Sequence, residues 1–271
     1  MFWHGGPLPS YARSCMRSFL ERGHRVRLYT YRSLDLPPGV EQADAALIMN
    51  ADEMSRYRGI AAFADAFRYE LLSREGGWWV DVDVFCLADQ LPETNYAWAE
   101  QEPGVVNVAI LKFPSRDAKL TQLAAGARAF SDDPTWGATG PHLISKVLDG
   151  FEPSGRAGTT HQFYPLHWLE APLLLLPEYK SEILSRIKGA LFLHLWAHVL
   201  QHVGIRWGGD VPRGSLMYDL LGTDADGRAT WWAEFMTRRA INRYWRQRWV
   251  RKSWLCQFST GTPPSVRYRP F

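Results

Sequence analysis

The stretch 59–87, GIAAFADAFRYELLSREGGWWVDVDVFCL, constrains this chain more than any other, because polar residues at fixed spacing are embedded in strongly patterned sequence. Ile60, Phe63, Ala64, Phe67 and Leu71 recur at helical spacing and predict a helix with one apolar stripe turned to a core. Asp65 and Arg68 are three apart, so they lie together on the flank of that stripe, at the border of core and solvent, where a cleft wall would be. Gly76-Gly77 stops the helix, since glycine takes the left-handed backbone of a C-terminal cap without steric cost. A strand follows, in which Trp79, Asp81 and Asp83 alternate with Val80, Val82 and Val84. A period of two puts both carboxylates on one side and the valines on the other.

Two carboxylates held together in a half-buried place repel; at ~4 Å and an effective dielectric of ~20 the cost is about 4 kcal/mol. A divalent cation removes it. Mg2+ and Mn2+ favour oxygen ligands and are commonly held by one or two carboxylates plus substrate phosphates, so Asp-Val-Asp at a strand end reads as a metal-diphosphate bracket. The bland alternative is a solvated strand end, because a bare Asp-x-Asp is common.

An Ala-rich helix carrying Asp-x-x-Arg, then Gly-Gly, two aromatics and Asp-Val-Asp-Val, resembles the Asp-x-Asp region of glycosyltransferase family 32, of the related alpha-1,4-glycosyltransferases and, distantly, of the large clostridial glucosylating toxins. The resemblance is specific over this stretch and weaker elsewhere. It implies the GT-A fold, a Rossmann-like α/β architecture with a mixed central sheet flanked by helices. It also implies transfer of a sugar, with retention, from a nucleotide-diphosphate donor expected to be UDP-linked. On it, Asp65 and Arg68 match the pair that holds donor-sugar hydroxyls, and Asp81 and Asp83 match the carboxylates that bind Mn2+ or Mg2+ under the diphosphate, with Trp79 beside them at the donor. The sequence offers no identifiable nucleophile or general base, so no catalytic residue is named.

At 271 residues, 46% hydrophobic and 22% charged, the chain has the composition of an ordinary globular protein able to bury a full core. The expected organisation is a transferase domain over residues 1–200 and a basic, Trp/Arg-rich extension over 201–271. The longest apolar run, around residues 172–177, is short and bounded by prolines, well below a membrane span. The Met1-Phe2-Trp3-His4 start lacks the basic flank and apolar segment of a signal peptide, which sets the expected location in the cytoplasm. Cys15, Cys86 and Cys256 are too few and too scattered for a disulfide framework or a zinc knuckle.

The chain opens as strand, helix, strand: residues 1–4, then 9–22 with Ala12, Cys15, Met16 and Phe19 inward, then a strand from Arg25. This is the start of a nucleotide-binding half, but no G-x-G-x-x-G is present, which disfavours a nicotinamide cofactor. Ligands in open α/β sheets sit beyond the carboxyl ends of strands, so the Trp3-His4-Gly5-Gly6 turn and residues 29–31 fall at the nucleotide end. The toxins carry a comparable Trp-x-Gly-Gly whose Trp stacks on uracil, which assigns Trp3 by resemblance to the donor base. A strand-end Trp also reads as core.

Further strands are expected over 96–100 and 105–113, and a helix over 117–130. Asn107 matches an asparagine that family members carry near the acceptor; otherwise it is a hydrogen-bonded strand residue. Thr139-Gly140-Pro141-His142 opens a helix over 143–148, and its first N–H groups suit a diphosphate or an acceptor hydroxyl, with a plain helix start as the alternative. Residues 192–196 read as a strand. There His194 matches by resemblance a further metal ligand and Trp196 a residue near the diphosphate, while His194 alone reads as a core histidine. His198 and His202 lack both an HExxH motif and an acidic partner, which argues against zinc.

Residues 230–254 interleave tryptophans and arginines around one acid, Glu234. Arg238, Arg239, Arg243, Arg246, Arg248, Arg251 and Lys252 with Trp245, Trp249 and Trp254 suit an anionic membrane surface, where a lipid-linked or glycolipid acceptor would be met; a packed helix with solvated arginines is the alternative. Nothing else in the chain supports nucleic acid as a partner. The whole reads as a metal-dependent glycosyltransferase of polysaccharide or glycolipid synthesis, acting on a saccharide or lipid-linked hydroxyl, cytoplasmic and peripheral on the inner face of the membrane. Its rivals are a metal-dependent phosphohydrolase, which would need more ligands and a nucleophilic Asp, and a non-catalytic membrane-binding module.

Overall fold

The computed structural model describes residues 1–203, 211–222 and 239–243. In chain order its regular elements are α1 (Ser10–Leu20), β1 (Arg27–Thr30), β2 (Glu41–Asp44), α2 (Ile60–Glu75), β3 (Gly77–Val80), β4 (Val84–Cys86), β5 (Glu100–Glu102), β6 (Val105–Val106), β7 (Ile110–Phe113), α3 (Ala118–Ala129), α4 (Pro141–Val147), α5 (Thr160–Phe163), α6 (Lys180–Arg186), β8 (Phe192–His194), α7 (Ala197–Val203) and α8 (Leu216–Leu221), with 3-10 turns between them. The chain divides into two compact units, one of Met1–His167 with Glu182–Leu195, the other of Trp168–Ser181 with the described residues from Trp196 onward.

The first unit is mixed α/β. Its strands form four two-stranded sheets: β1 and β2 are parallel, while β3 with β7, β4 with β8 and β5 with β6 are antiparallel. Single bridges extend them, from Phe2 to Tyr29 and from Ala97 to both Lys112 and Ala157. Residues 1–4 therefore make a bridge rather than the expected strand, held by Trp3 N–H to the Tyr29 carbonyl at 3.0 Å and Tyr29 N–H to the Met1 carbonyl at 3.0 Å. The apolar spacing of α1 holds: Ala12, Cys15, Met16 and Phe19 are all buried. The Ser18 hydroxyl pins β4 to α1, accepting from Cys86 N–H at 2.8 Å and donating to the Cys15 carbonyl at 2.6 Å.

Helix α2 is the centre of the unit. Phe63, Ala66, Phe67, Tyr69, Leu71 and Leu72 are buried, together with Asp65 and Arg68, so the helix is enclosed on most sides rather than along one stripe. Ile60, assigned to the stripe by its spacing, is 47% exposed. Phe67 stacks on Phe2 at 4.3 Å and lies between Tyr29 and Trp79. Each large side chain buried here contributes about 1.5–3 kcal/mol. The helix ends at Gly76, with φ +67°, and a Cβ there would lie 2.6 Å from the Ser115 backbone nitrogen, so both the turn and the close approach demand glycine.

The strand expected through residues 79–84 is broken. β3 stops at Val80, residues 81–83 turn, and β4 resumes at Val84. The cause is a change of partner, since β3 pairs with β7 and β4 with β8, and the chain must cross between the two ladders. Asp81 and Asp83 consequently do not share one face of a continuous strand.

The second unit has its own apolar centre, in which Leu173, Leu174, Leu175, Leu200, Leu216, Met217 and Leu221 are buried. Ser215 caps α8, accepting from Tyr218 N–H at 3.1 Å, and Lys180 pairs with Asp219.

Candidate functional site

Arg68 organises the site. It projects from α2 into the interior and is 5% exposed. Its Nη1 donates to the Val108 carbonyl at 2.6 Å and its Nε to the Ala64 carbonyl at 3.3 Å, while Nη2 lies 3.3 Å from Asp65 Oδ1 and 3.5 Å from Asp81 Oδ1. The guanidinium also sits 5.0 Å from the Trp79 ring centroid. One cation thus lies between two carboxylates, and a planar fork fixed by backbone carbonyls sets its direction. Asp65 and Arg68 are enclosed rather than at a core-solvent border, because Thr139 and Gly140 pack on Asp65 while Trp79, Asp81 and the Val108 carbonyl pack on Arg68.

Each carboxylate has a second anchor. The Thr139 hydroxyl donates to Asp65 Oδ2 at 2.8 Å, and the Trp79 indole N–H donates to Asp81 Oδ1 at 2.7 Å. Burial pushes the Asp65 carboxyl above its usual range, opposed by Arg68 and by the Thr139 hydrogen bond. Asp81 is raised for the same reason, with Arg68 pulling it down, Asp83 pushing it up and His194 pulling it down. Burial opposes the charge on Arg68, but Asp81 and Asp65 more than offset it and keep the guanidinium's proton held more tightly than usual.

Asp83 meets a different partner. β4 and β8 run antiparallel with Val84 opposite His194, and the Leu195 N–H donates to the Asp83 carbonyl at 2.9 Å, closing the pair across the turn. His194 Nε2 lies 3.3 Å from Asp83 Oδ2, and both side chains are largely buried. Among the described residues, no group of three His, Cys, Asp or Glu side chains is arranged to hold a metal ion. Asp83 and His194 bring two donors together, and Asp81 is turned toward Arg68 and Trp79.

Residues 107–109 form a hub beneath the site. Buried Asn107 donates from Nδ2 to Gln101 Oε1 at 2.5 Å and accepts from Ala109 N–H at 2.7 Å. The Ala109 carbonyl then accepts from Asp81 N–H at 2.8 Å, next to the Val108 carbonyl that holds Arg68. Asn107 is therefore engaged in fixing the backbone under Asp81 and Arg68.

Gly140 packs against Asp65, where a Cβ would lie 2.7 Å from Oδ2. α4 begins at Pro141, which has no N–H, and the Gly140 and His142 N–H groups both donate to the Gly137 carbonyl, at 3.1 and 2.9 Å. The Gly140 and His142 donors are thus bonded within the turn, which packs against the Asp65 carboxylate. The spacing of Thr-Gly-Pro marks the turn but not the Thr139 hydroxyl's bond to Asp65, which depends on long-range packing.

Trp3 is half-buried and folds onto its own turn, its indole N–H donating to the Gly6 carbonyl at 3.0 Å. With His4, Gly5, Thr30, Tyr31, Arg32 and Leu34 it lines a cavity of about 250 Å3, so the two segments expected at the nucleotide end do meet. Trp196 opens the second unit with a left-handed backbone, φ 53°, uncommon for a bulky residue, and its carbonyl accepts from Leu200 N–H at 3.1 Å. His198 and His202 are exposed on α7, their ring centroids 4.4 Å apart. Of the basic segment 230–254, all but residues 239–243 lies outside the described residues. No helix among the described residues is long and apolar enough to cross a membrane.

No family model matches the chain, and no curated protein matches it. Among solved structures, the chain is similar to the PaToxG glycosyltransferase, at TM-score 0.42 and 10% identity over 90% of this chain and 83% of that one. A likeness at this level assigns neither an activity nor a ligand.

Proposed function

We propose that this chain is a glycosyltransferase of GT-A type that moves a sugar from a nucleotide-diphosphate donor, with UDP-sugars as first candidates, to a saccharide or glycolipid hydroxyl. The observation that carries the reading is the buried Asp65–Arg68–Asp81 cluster standing next to the Asp83–His194 pair. Burying two carboxylates around one guanidinium is costly and stabilises a fold little, so a need for fixed acceptors and donors at this spot accounts for it better than stability does. Asp65 and Arg68, held from behind by Thr139 and the Val108 carbonyl, suit sugar hydroxyls, which require an acceptor and a donor at set positions.

A carboxylate and an imidazole are donors suited to Mn2+ or Mg2+, and Asp83 and His194, which stand together, would hold the ion, which when bound would neutralise charge on the diphosphate. Trp3 at its cavity is the candidate for the base of the donor. Retention remains the stereochemical expectation, and no side chain is assigned as nucleophile. The basic tryptophan-rich segment 231–254 is proposed to bind anionic membrane surfaces, which liposome sedimentation at low and high salt tests.

The direct test incubates purified protein with a panel of nucleotide sugars, with and without Mn2+, and measures nucleoside diphosphate release. Release from at least one donor that depends on the metal is the expected result. A complete lack of release across UDP-, GDP-, ADP- and dTDP-linked donors rejects the reading.

A further inference from the structure

We propose that Trp136 is the stacking platform for a sugar ring of the acceptor, an assignment that rests on the glycosyltransferase reading and names the acceptor side of that site. Trp136 is 64% exposed, on the segment between α3 and α4. Exposing an indole forgoes a large burial gain, and a lone exposed hydrophobic side chain alone would mean little. This one, however, is held in place. Its segment is tied at one end where Arg58 N–H donates to the Ser131 carbonyl at 2.8 Å, and at the other where Thr139 bonds Asp65 and accepts from Tyr69 OH at 3.2 Å. Between these ties Thr135 N–H donates to Asp133 Oδ1 at 2.7 Å, and Gly137 turns the chain with φ +77°.

The ring itself is braced. His142 packs edge to face with it, centroids 5.5 Å apart and planes at 83°, which fixes the indole's direction. Trp136 and Thr139 are three positions apart, with Gly137 and Ala138 between them, so the platform and the hydrogen bond to Asp65 belong to one turn. Asp132 and Thr135 beside it in the chain are exposed and polar.

This combination selects a carbohydrate. The face of an aromatic ring carries negative charge density, and one face of a pyranose presents polarised C–H bonds, while its rim carries hydroxyls that need polar neighbours. A protein partner would require a contiguous apolar patch of several hundred Å2, whereas the exposed apolar side chains of this segment, Phe130, Pro134 and Trp136, are interspersed with the exposed polar Asp132 and Thr135. Rigidity supports the same conclusion, since a braced ring costs little ordering entropy on binding.

The test titrates wild-type, Trp136→Ala and Trp136→Phe proteins with lactose, maltose, cellobiose and N,N′-diacetylchitobiose, followed by calorimetry and by ligand-observed NMR, with thermal melts as the fold control. At least one disaccharide should bind the wild type, Trp136→Ala should raise its Kd about tenfold or more, and Trp136→Phe should raise it about threefold because an aromatic face remains. Nucleoside diphosphate binding should be the same in all three. If no disaccharide binds the wild type, or if Trp136→Ala binds as well as the wild type, the platform is wrong. Donor turnover is scored separately, so loss of the stacking platform and loss of the transferase reading give different patterns.

Discussion

Asp81 and Asp83 are two residues apart in one turn, yet the fold treats them differently. Asp81 is held by the Arg68 guanidinium from α2, the Trp79 indole N–H from β3 and, through its own backbone, the Ala109 carbonyl before β7. Asp83 faces an imidazole from β8. The first side is a fixed polar framework built from groups that stay charged or always donate; the second depends on a side chain that can donate, accept or bind a metal. On the proposed function the labour divides accordingly, with the Arg68 side a fixed frame for the donor sugar and the His194 side the place of the metal ion.

The largest expected effect breaks the framework. Arg68→Ala leaves Asp65 and Asp81 without their cation and should lower stability at neutral pH by about 3–5 kcal/mol, read by urea denaturation. Arg68→Lys should recover only part, since an ammonium cannot reach two carboxylates and the Val108 carbonyl with one planar fork. A loss below ~1 kcal/mol in Arg68→Ala would mean that the cluster is solvated rather than structural.

A pH series sharpens the same contrast. Asp65 and Asp81 are both raised above the ordinary 3.8 in the folded state, chiefly by burial. The folded chain therefore binds these protons more tightly than the unfolded chain. The resulting stabilisation is full below 3.8 and is lost as pH rises through the folded values. Asp81→Asn should flatten that decline in a stability series from about pH 4 to 7, and an unchanged slope would contradict the assignment.

The smallest effect concerns an anchor. Thr139→Val keeps the shape but removes the donor to Asp65 Oδ2, and should cost about 1–3 kcal/mol, whereas Thr139→Ser should cost under ~1. Equal stability of the Val and Ser variants in urea would show that Asp65 is held by Arg68 alone.

Much of this framework was legible in the sequence. Helix α2, its stop at Gly76 and the nearness of Asp65 to Arg68 follow from periodicity and from glycine's backbone freedom, which are local effects. The inward face of α1 was legible for the same reason. The break at residues 81–83 was not, because Trp79-Val-Asp-Val-Asp-Val satisfies strand alternation perfectly well; what overrides it is the switch of partner from β7 to β8, a tertiary fact. Nor could spacing reveal that α2 is enclosed on most sides, since burial of Asp65 and Arg68 depends on what packs over them. Asn107 carried no signal that distinguished a backbone clamp from a ligand contact, and Trp136 none that distinguished an exposed ring from a buried one.

The division of labour is tested most directly by Mn2+ binding, followed by the free-ion electron paramagnetic resonance signal, in wild type, Asp83→Asn, His194→Gln and Asp81→Asn proteins whose melting is checked. The account expects the wild type to bind Mn2+ and both Asp83→Asn and His194→Gln to weaken it about tenfold or more, with Asp81→Asn weakening it less. Mn2+ binding that is absent in the wild type, or lost with Asp81→Asn but kept with Asp83→Asn, would contradict it.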